Sequence, residues 1–348
     1  MIDYEVWLEE PTIDQYRQGY SPRAGYSLAG MWPGAVLAGA SGRWYHGMRG
    51  FDELAVGMAH TYTFMELRPG DRYNFGTQLY DELPIDEFEP YEYSETNDAV
   101  LFVGEHVNVE VREGSFDWSD ADGRYELHVQ QLGSACTLWV PEQDGIPDPI
   151  QHRSQIGKAV GHVNGDPVEG FTFLDWSYSR PGVVYFNLPL IRKLEKQWSM
   201  WLVEYADGEL DAGFVWKGRG DTGFRASHLI VDGRSQAIHQ GNTDTTYDDR
   251  GTVWRTRLEV GDQVIDLEQD TVSDWPSHTF GPVTSTSRST EGKEIAKSWN
   301  YCEWMPDNTE PLLELYLQGV LRVEDTPRAR VENECVIYPE EMLRGTGA

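Results

Sequence analysis

The stretch His106–Glu113, HVNVEVRE, decides the fold. Val107, Val109 and Val111 fall at alternate positions, with Asn108 and Glu110 between them. Side chains of a strand point to opposite faces with a period of two, so this segment has one apolar and one wet face. The rhythm spreads both ways. HTYTFMEL runs into RPGDR, YELHVQQL follows SDADG, and ACTLWV ends in the loop Pro141–Gln151, PEQDGIPDPIQ. Further on, WSMWLVEY, FRASHLIV and GTVWRTRLEV meet ADGE, DGRS and GDQ. Gly beside Asp supplies the positive φ that tight hairpin turns require. Helical spacing is visible in LPLIRKLEKQWSM and EPLLELYLQGV, both short enough to be strands. The expectation is an all-β, mostly antiparallel protein with one or two short helices.

A chain of 348 residues suits two domains. The Pro- and Gly-rich loop places their boundary, giving 1–150, with an irregular N-terminal extension, and 151–348. Each half carries an early glycine-bounded aromatic patch, GRWYHGMRG and EGFTFLDWSYSRPG, followed by a meander. Two similar barrels or sandwiches in tandem fit that design, and a barrel can hold one apolar ligand. Thirteen tryptophans and eighteen tyrosines supply flat amphipathic walls for such a pocket.

Charge and motif content narrow the function. A formal charge of -30 repels phosphate backbones and anionic lipid, so neither nucleic acid nor a membrane surface is an expected partner. The opening MIDYEVWLEEPTIDQ has acids where a signal peptide has bases, and no apolar run reaches spanning length. The expected location is cytoplasmic. Cys136, Cys302 and Cys335 are too few and too scattered for a disulfide framework or a zinc knuckle. Phosphate-cradling glycine loops, the His-Glu-x-x-His pattern and the nucleophile elbow are missing, so no cofactor and no metal is expected. Asp117, Asp120 and Asp122 read as a solvated turn rather than a calcium loop.

Three clusters remain. In Ser41–Leu54, SGRWYHGMRGFDEL, Trp44 and Tyr45 precede His46, which can exchange a proton near neutral pH or simply bond backbone in a turn. In Val168–Gly182, VEGFTFLDWSYSRPG, strand parity puts Asp175 on one face with Phe171 and Phe173, and Trp176 on the other. A carboxyl on an apolar face keeps its proton and can act as an acid. The alternative is that Asp175 pairs with an arginine such as Arg180, or caps a turn. Tyr178 and Arg180 follow it. In Trp198–Phe214, WSMWLVEYADGELDAGF, Trp201 and Tyr205 share a face and would line a cavity, while Asp207 sits in an Asp-Gly turn.

At the last two clusters the chain resembles the two-domain lipocalin-like family of carotenoid 1,2-hydratases (hydroxyneurosporene synthase) and related cyclases. In that family a strand ending in Asp-His-x-Trp-Gly precedes one that supplies a tyrosine and an aspartate. Here LDWSYSR stands in its place. Asp175 falls on the family aspartate, Trp176 on the histidine, Tyr178 on the tryptophan and Ser179 on the glycine. Tyr205 and Asp207 in EYADG resemble the later pair, and RWYHG, 43–47, resembles the aromatic start of the first barrel. The resemblance implies tandem lipocalin-like β-barrels, an aromatic pocket and no cofactor. Tryptophan at 176 cannot shuttle a proton, although its π face can hold an apolar ring or a cation. That departure weakens hydration and favours cyclisation, isomerisation or carriage.

The leading expectation is a cofactor-independent hydratase, cyclase or isomerase for an isoprenoid or polyketide-like substrate. Asp175 would protonate an alkene, with His46, Tyr178, Tyr205 and Asp207 as further catalytic candidates. Trp44, Tyr45, Phe173, Trp176, Trp201 and Arg180 would contact substrate. Without a strong acid, the same cavity would act by holding the substrate folded. The alternatives are a non-catalytic carrier of an apolar molecule and, behind it, a glycan-active β-sandwich.

Overall fold

The computed structural model describes residues 2–48, 50–52, 58–60, 64–67, 72, 88–183, 194–220, 222–248, 250–274, 278–305, 330–332 and 335–337. Among these the regular structure is strand, apart from a 3-10 turn at Ile13–Tyr16 and one α-turn at Ser287–Thr290. HVNVEVRE contains the strand Asn108–Arg112, and Val107, Val109 and Val111 are buried as their alternation demands. In LPLIRKLEKQWSM the part from Glu195 onward is strand, and 188–193 lie outside the described residues. EPLLELYLQGV, 310–320, lies outside the described residues.

The largest sheet has fourteen strands and curls, consistent with a lipocalin-like fold. Its spine is a pair of fourteen-residue strands, Ile150–Val163 and Asp166–Ser179. Asn164 and Gly165 join them, both at positive φ (50° and 76°), which is the backbone twist a two-residue hairpin needs. Asp166–Ser179 pairs on its other edge with Ser27–Gly39. Ile150–Val163 continues to Ala135–Val140 and Tyr125–Gln131. Both spine strands therefore hydrogen-bond into a sheet made from the first 150 residues, although they follow the boundary loop in sequence.

The second half adds a seven-stranded sheet, whose centre is Leu210–Gly218, Glu195–Tyr205 and Ile295–Trp304, and a four-stranded sheet from Asn242 to Thr286. No ladder joins these two sheets among the described residues. The expected second closed barrel therefore finds no closure there. The reason is physical: hairpin spacing is the same in a meander that closes and in one that stacks as layers, so turn rhythm does not encode closure.

Strand parity sorts the side chains into three cores. Leu174, Trp176 and Tyr178 pack inside the curl of the large sheet with Phe102, Val109 and Trp118. Phe171 and Phe173, on the opposite face, join Trp198, Met200, Phe214, Trp216 and Tyr301 of the seven-stranded sheet. The other face of that sheet packs Trp201, Val203 and Tyr205 against Leu258, Ile265 and Leu267 of the four-stranded sheet. A fully buried indole removes about 200 Å² from water, roughly 5 kcal/mol gross at 25 cal/mol/Å². The middle core, with Trp198, Trp216 and Trp299, thus has driving force to spare for buried polar groups. Lys158–Glu204 (2.5 Å) and Lys297–Glu169 (2.7 Å) tie the two facing sheets together across its edge.

Candidate functional site

Asp175 lies in the middle core. It is 2% exposed and shares its face with Phe171 and Phe173, as the alternation of VEGFTFLDW requires. Ser154 stands opposite it on the neighbouring strand, and His152 opposite Ser177. His152 Nδ1 lies 2.8 Å from Ser177 Oγ, and its Nε2 lies 3.8 Å from Asp175 Oδ1, too long for a hydrogen bond. Asp175 Oδ1 and His152 Nε2 have no hydrogen-bond partner. Such orphans are rare in folded proteins, and here two face each other.

Burial pushes the Asp175 carboxyl well above the usual carboxylate range; Ser154 acts the other way and the charge of Glu303 adds to the rise. Burial likewise lowers the His152 imidazole to about 3, helped by the charge of Arg153. A protonated acid beside a neutral imidazole follows from removing both groups from water.

The facing sheet completes the surroundings. The Trp216 ring sits 4.9 Å from the His152 ring and stacks with Trp198 at 5.5 Å. Phe173 packs edge-on to Trp198 at 5.4 Å and lies 5.3 Å from the Tyr301 ring. Glu195 is buried beside them. The ladder slips between Glu195 and Gln197, and that irregularity frees Glu195 from the strict alternation of its strand. Burial raises its carboxyl well above the usual range, Glu303 adds to this, and Arg219 opposes it.

His46 belongs to the same layer. It is wholly buried, with Nδ1 2.9 Å from the Ala35 carbonyl, and its ring is 4.4 Å from Phe280 and 5.8 Å from Tyr301. The backbone partner anticipated for it is present, and so is an aromatic link toward Asp175. Trp44 packs on this core too.

The remaining sequence candidates lie elsewhere. Tyr45, Trp176 and Tyr178 point into the large sheet's own core. Tyr45 donates to Asp166 at 2.9 Å and Tyr178 to the Gln15 carbonyl at 3.0 Å. Trp201 and Tyr205 are in the third core, where Tyr205 donates to Asp211 at 2.8 Å. Asp207 occupies an exposed turn and pairs with Lys293 at 2.8 Å. Arg180 pairs with Glu142 on the surface rather than with Asp175. Of the named residues, Asp175, Phe173 and His46 lie in the middle core, whereas Trp44 packs on its edge level with Glu169, six strand positions from Asp175.

The sequence reading missed His152, Glu195, Trp198, Trp216, His278, Tyr301 and Glu303. His152 lies on the strand adjacent to Asp175 rather than beside it in sequence, so no local motif marks it. The described surface clefts share no residue with this cluster; one of about 750 Å³ is lined by Tyr4, Arg225, His239 and Glu259. No group of His, Cys, Asp and Glu fit to hold a metal occurs among the described residues, and none of the described helices is long and apolar enough to cross a membrane.

No protein-family model and no curated protein matches the chain. Among solved structures it is similar to one described as a putative AttH from Nitrosomonas europaea, with 12% identity over 83% of this chain and 96% of that one and a TM-score of 0.40. It is also similar to kievitone hydratase from Nectria haematococca, with 8% identity over 79% of this chain and 88% of that one and a TM-score of 0.30. Likeness this distant bears on neither substrate nor chemistry.

Proposed function

We propose that the protein is a cofactor-independent hydratase, isomerase or cyclase acting on a hydrophobic alkene-bearing substrate between its two facing sheets. The observation that carries this is the Asp175–His152 pair: an acid held in its protonated form, facing a neutral imidazole, inside an aromatic wall. Asp175 donates a proton to the alkene. Phe173, Trp198, Trp216 and Tyr301 present π faces that stabilise the positive charge developing on carbon. His152, 3.8 Å from Asp175 and neutral, adds no positive charge that would draw off the proton. A carrier has no need of a sealed acid, since neutral donors suffice to hold an apolar ligand. Isoprenoid and polyketide-like polyenes are the substrate classes that such a wall suits.

The test is incubation of the intact protein in deuterated water with a panel of uncharged polyenes and aryl alkenes, read by mass spectrometry. The expected result is deuterium on carbon in a hydrated, isomerised or cyclised product. Asp175→Asn should reduce the rate by about 10²-fold or more, the scale of a lost general acid. An Asp175→Asn protein as fast as the wild type, or a panel that is bound and returned unlabelled, overturns the proposal.

A further inference from the structure

The middle core contains a second carboxyl–imidazole pair. Glu303 Oε2 lies 3.8 Å from His278 Nε2 and accepts a hydrogen bond from the Tyr301 hydroxyl at 3.2 Å. Register explains the grouping: Glu303 stands opposite both Trp198 and His278 on its two neighbouring strands. The His278 ring is 5.5 Å from Tyr301 and 5.9 Å from His46. The pairs differ in access. The side chains of His152 and Asp175 are each 3% exposed, whereas those of His278 and Glu303 are 8% and 11% exposed. One pair is sealed and the other touches solvent.

We infer that Glu303, with His278, is the proton acceptor that complements Asp175, and the point at which the site exchanges protons with solvent. This rests on the alkene-protonating reading above and specifies its other half. Adding water across a double bond, or moving the bond, needs a proton delivered at one carbon and another removed. In the first step the Asp175 O–H bond breaks as a C–H bond forms, leaving a carbocation and the Asp175 carboxylate. In the second, either water forms a C–O bond and passes its proton to Glu303, or a neighbouring C–H bond breaks, re-forming C=C and protonating Glu303. Return of that proton to Asp175 resets the pair. Two ring contacts join Glu303 to the large sheet: its partner Tyr301 lies 5.3 Å from Phe173, two residues before Asp175, and its register neighbour Trp198 lies 6.2 Å from the His152 ring. On its own sheet Glu303 is flanked by Glu195, near which Arg219 also lies, and by His278 and Tyr301, with His46 beyond. Glu303's charge acts on both Asp175 and Glu195, adding to the rise of each.

The experiment needs no substrate. Infrared spectra of the full-length chain are recorded across a pH titration, following the band of protonated buried carboxyl groups. Asp175→Asn should remove one component, which identifies it. In Glu303→Gln that component should remain and its midpoint should move to lower pH, because the charge that adds to burial in holding the proton on Asp175 is gone. An unmoved midpoint overturns the pairing of Glu303 with Asp175. A wild-type spectrum without the Asp175 component overturns the acid reading itself, so the two failures are distinguishable. A second measurement avoids any change at 303. In wild-type protein with 15N-labelled histidine, the His278 resonance, assigned by its loss in His278→Gln, should shift through the Asp175 midpoint. A His278 that titrates independently of that midpoint also refutes the inference.

Discussion

Asp175→Asn should make the protein's stability less sensitive to rising pH. The native carboxyl keeps its proton because burial raises its folded pKa well above the ordinary value. The unfolded carboxyl releases it near the ordinary value. Between the two, the native state binds one more proton than the unfolded state, so stability falls as pH rises, by about 1.4 kcal/mol per pH unit for one group. Below the ordinary carboxylate pKa both states are protonated and the penalty is absent; above the raised folded pKa it is fully developed. Asparagine has nearly the same shape and no proton to lose. Across that window the variant should therefore gain about 1.4 kcal/mol on the wild type for each pH unit. Glu195 adds a falling slope of its own, and because the Asp175 charge helps raise it, the difference between the two proteins also includes the change in that coupling. The assay is urea unfolding of both proteins at unit intervals of pH, comparing midpoints at equal m value. Parallel midpoint curves would refute the reasoning, for they would mean that Asp175 ionises in the folded chain as it does in water.

His152→Gln should act with the opposite sign. The imidazole, lowered to about 3, stays neutral in the native state while the unfolded one protonates near 6.5. Wild-type stability should fall on acidification through that range by about 1.4 kcal/mol per pH unit for this group, and the variant's should fall less, as read by the same titration. Gly34→Ala should cost about 1–3 kcal/mol and perturb the near-ultraviolet spectrum, since a Cβ there would lie 2.1 Å from the Phe173 ring. Asp207→Asn should change neither deuterium incorporation nor its pH profile, because that carboxylate serves an exposed turn and Lys293; a large loss of turnover would return it to the site.

The sequence made the strands legible wherever one face met water. HVNVEVRE alternates because its polar positions are half-exposed, and the same parity put Asp175 beside Phe173. His152 gave no such signal. Residues 150–157 are buried on both faces, so IQHRSQIG mixes polar and apolar side chains without a period. Glu195 was hidden for a related reason. LPLIRKLEKQWSM spaces its apolar residues at helical intervals, but in a strand buried on both sides the spacing carries no information, and the ladder slip at Glu195 alters the parity as well. Tyr205 and Asp207 entered through resemblance and turn chemistry; the strand's parity sends Tyr205 to the third core, on the opposite face from Trp198 seven positions earlier.

Asp166–Ser179 is a wall shared by two rooms. Leu174 and Trp176 furnish one side, Phe173 and Asp175 the other, and a single backbone carries both. No repacking in the first room leaves the second undisturbed, because neighbouring Cα atoms of a paired strand cannot shift separately. Variation at Leu174 or Trp176 is therefore a way to reach Asp175 from the far side of its strand: a volume change in one hydrophobic core becomes a small rotation of the carboxyl in the next.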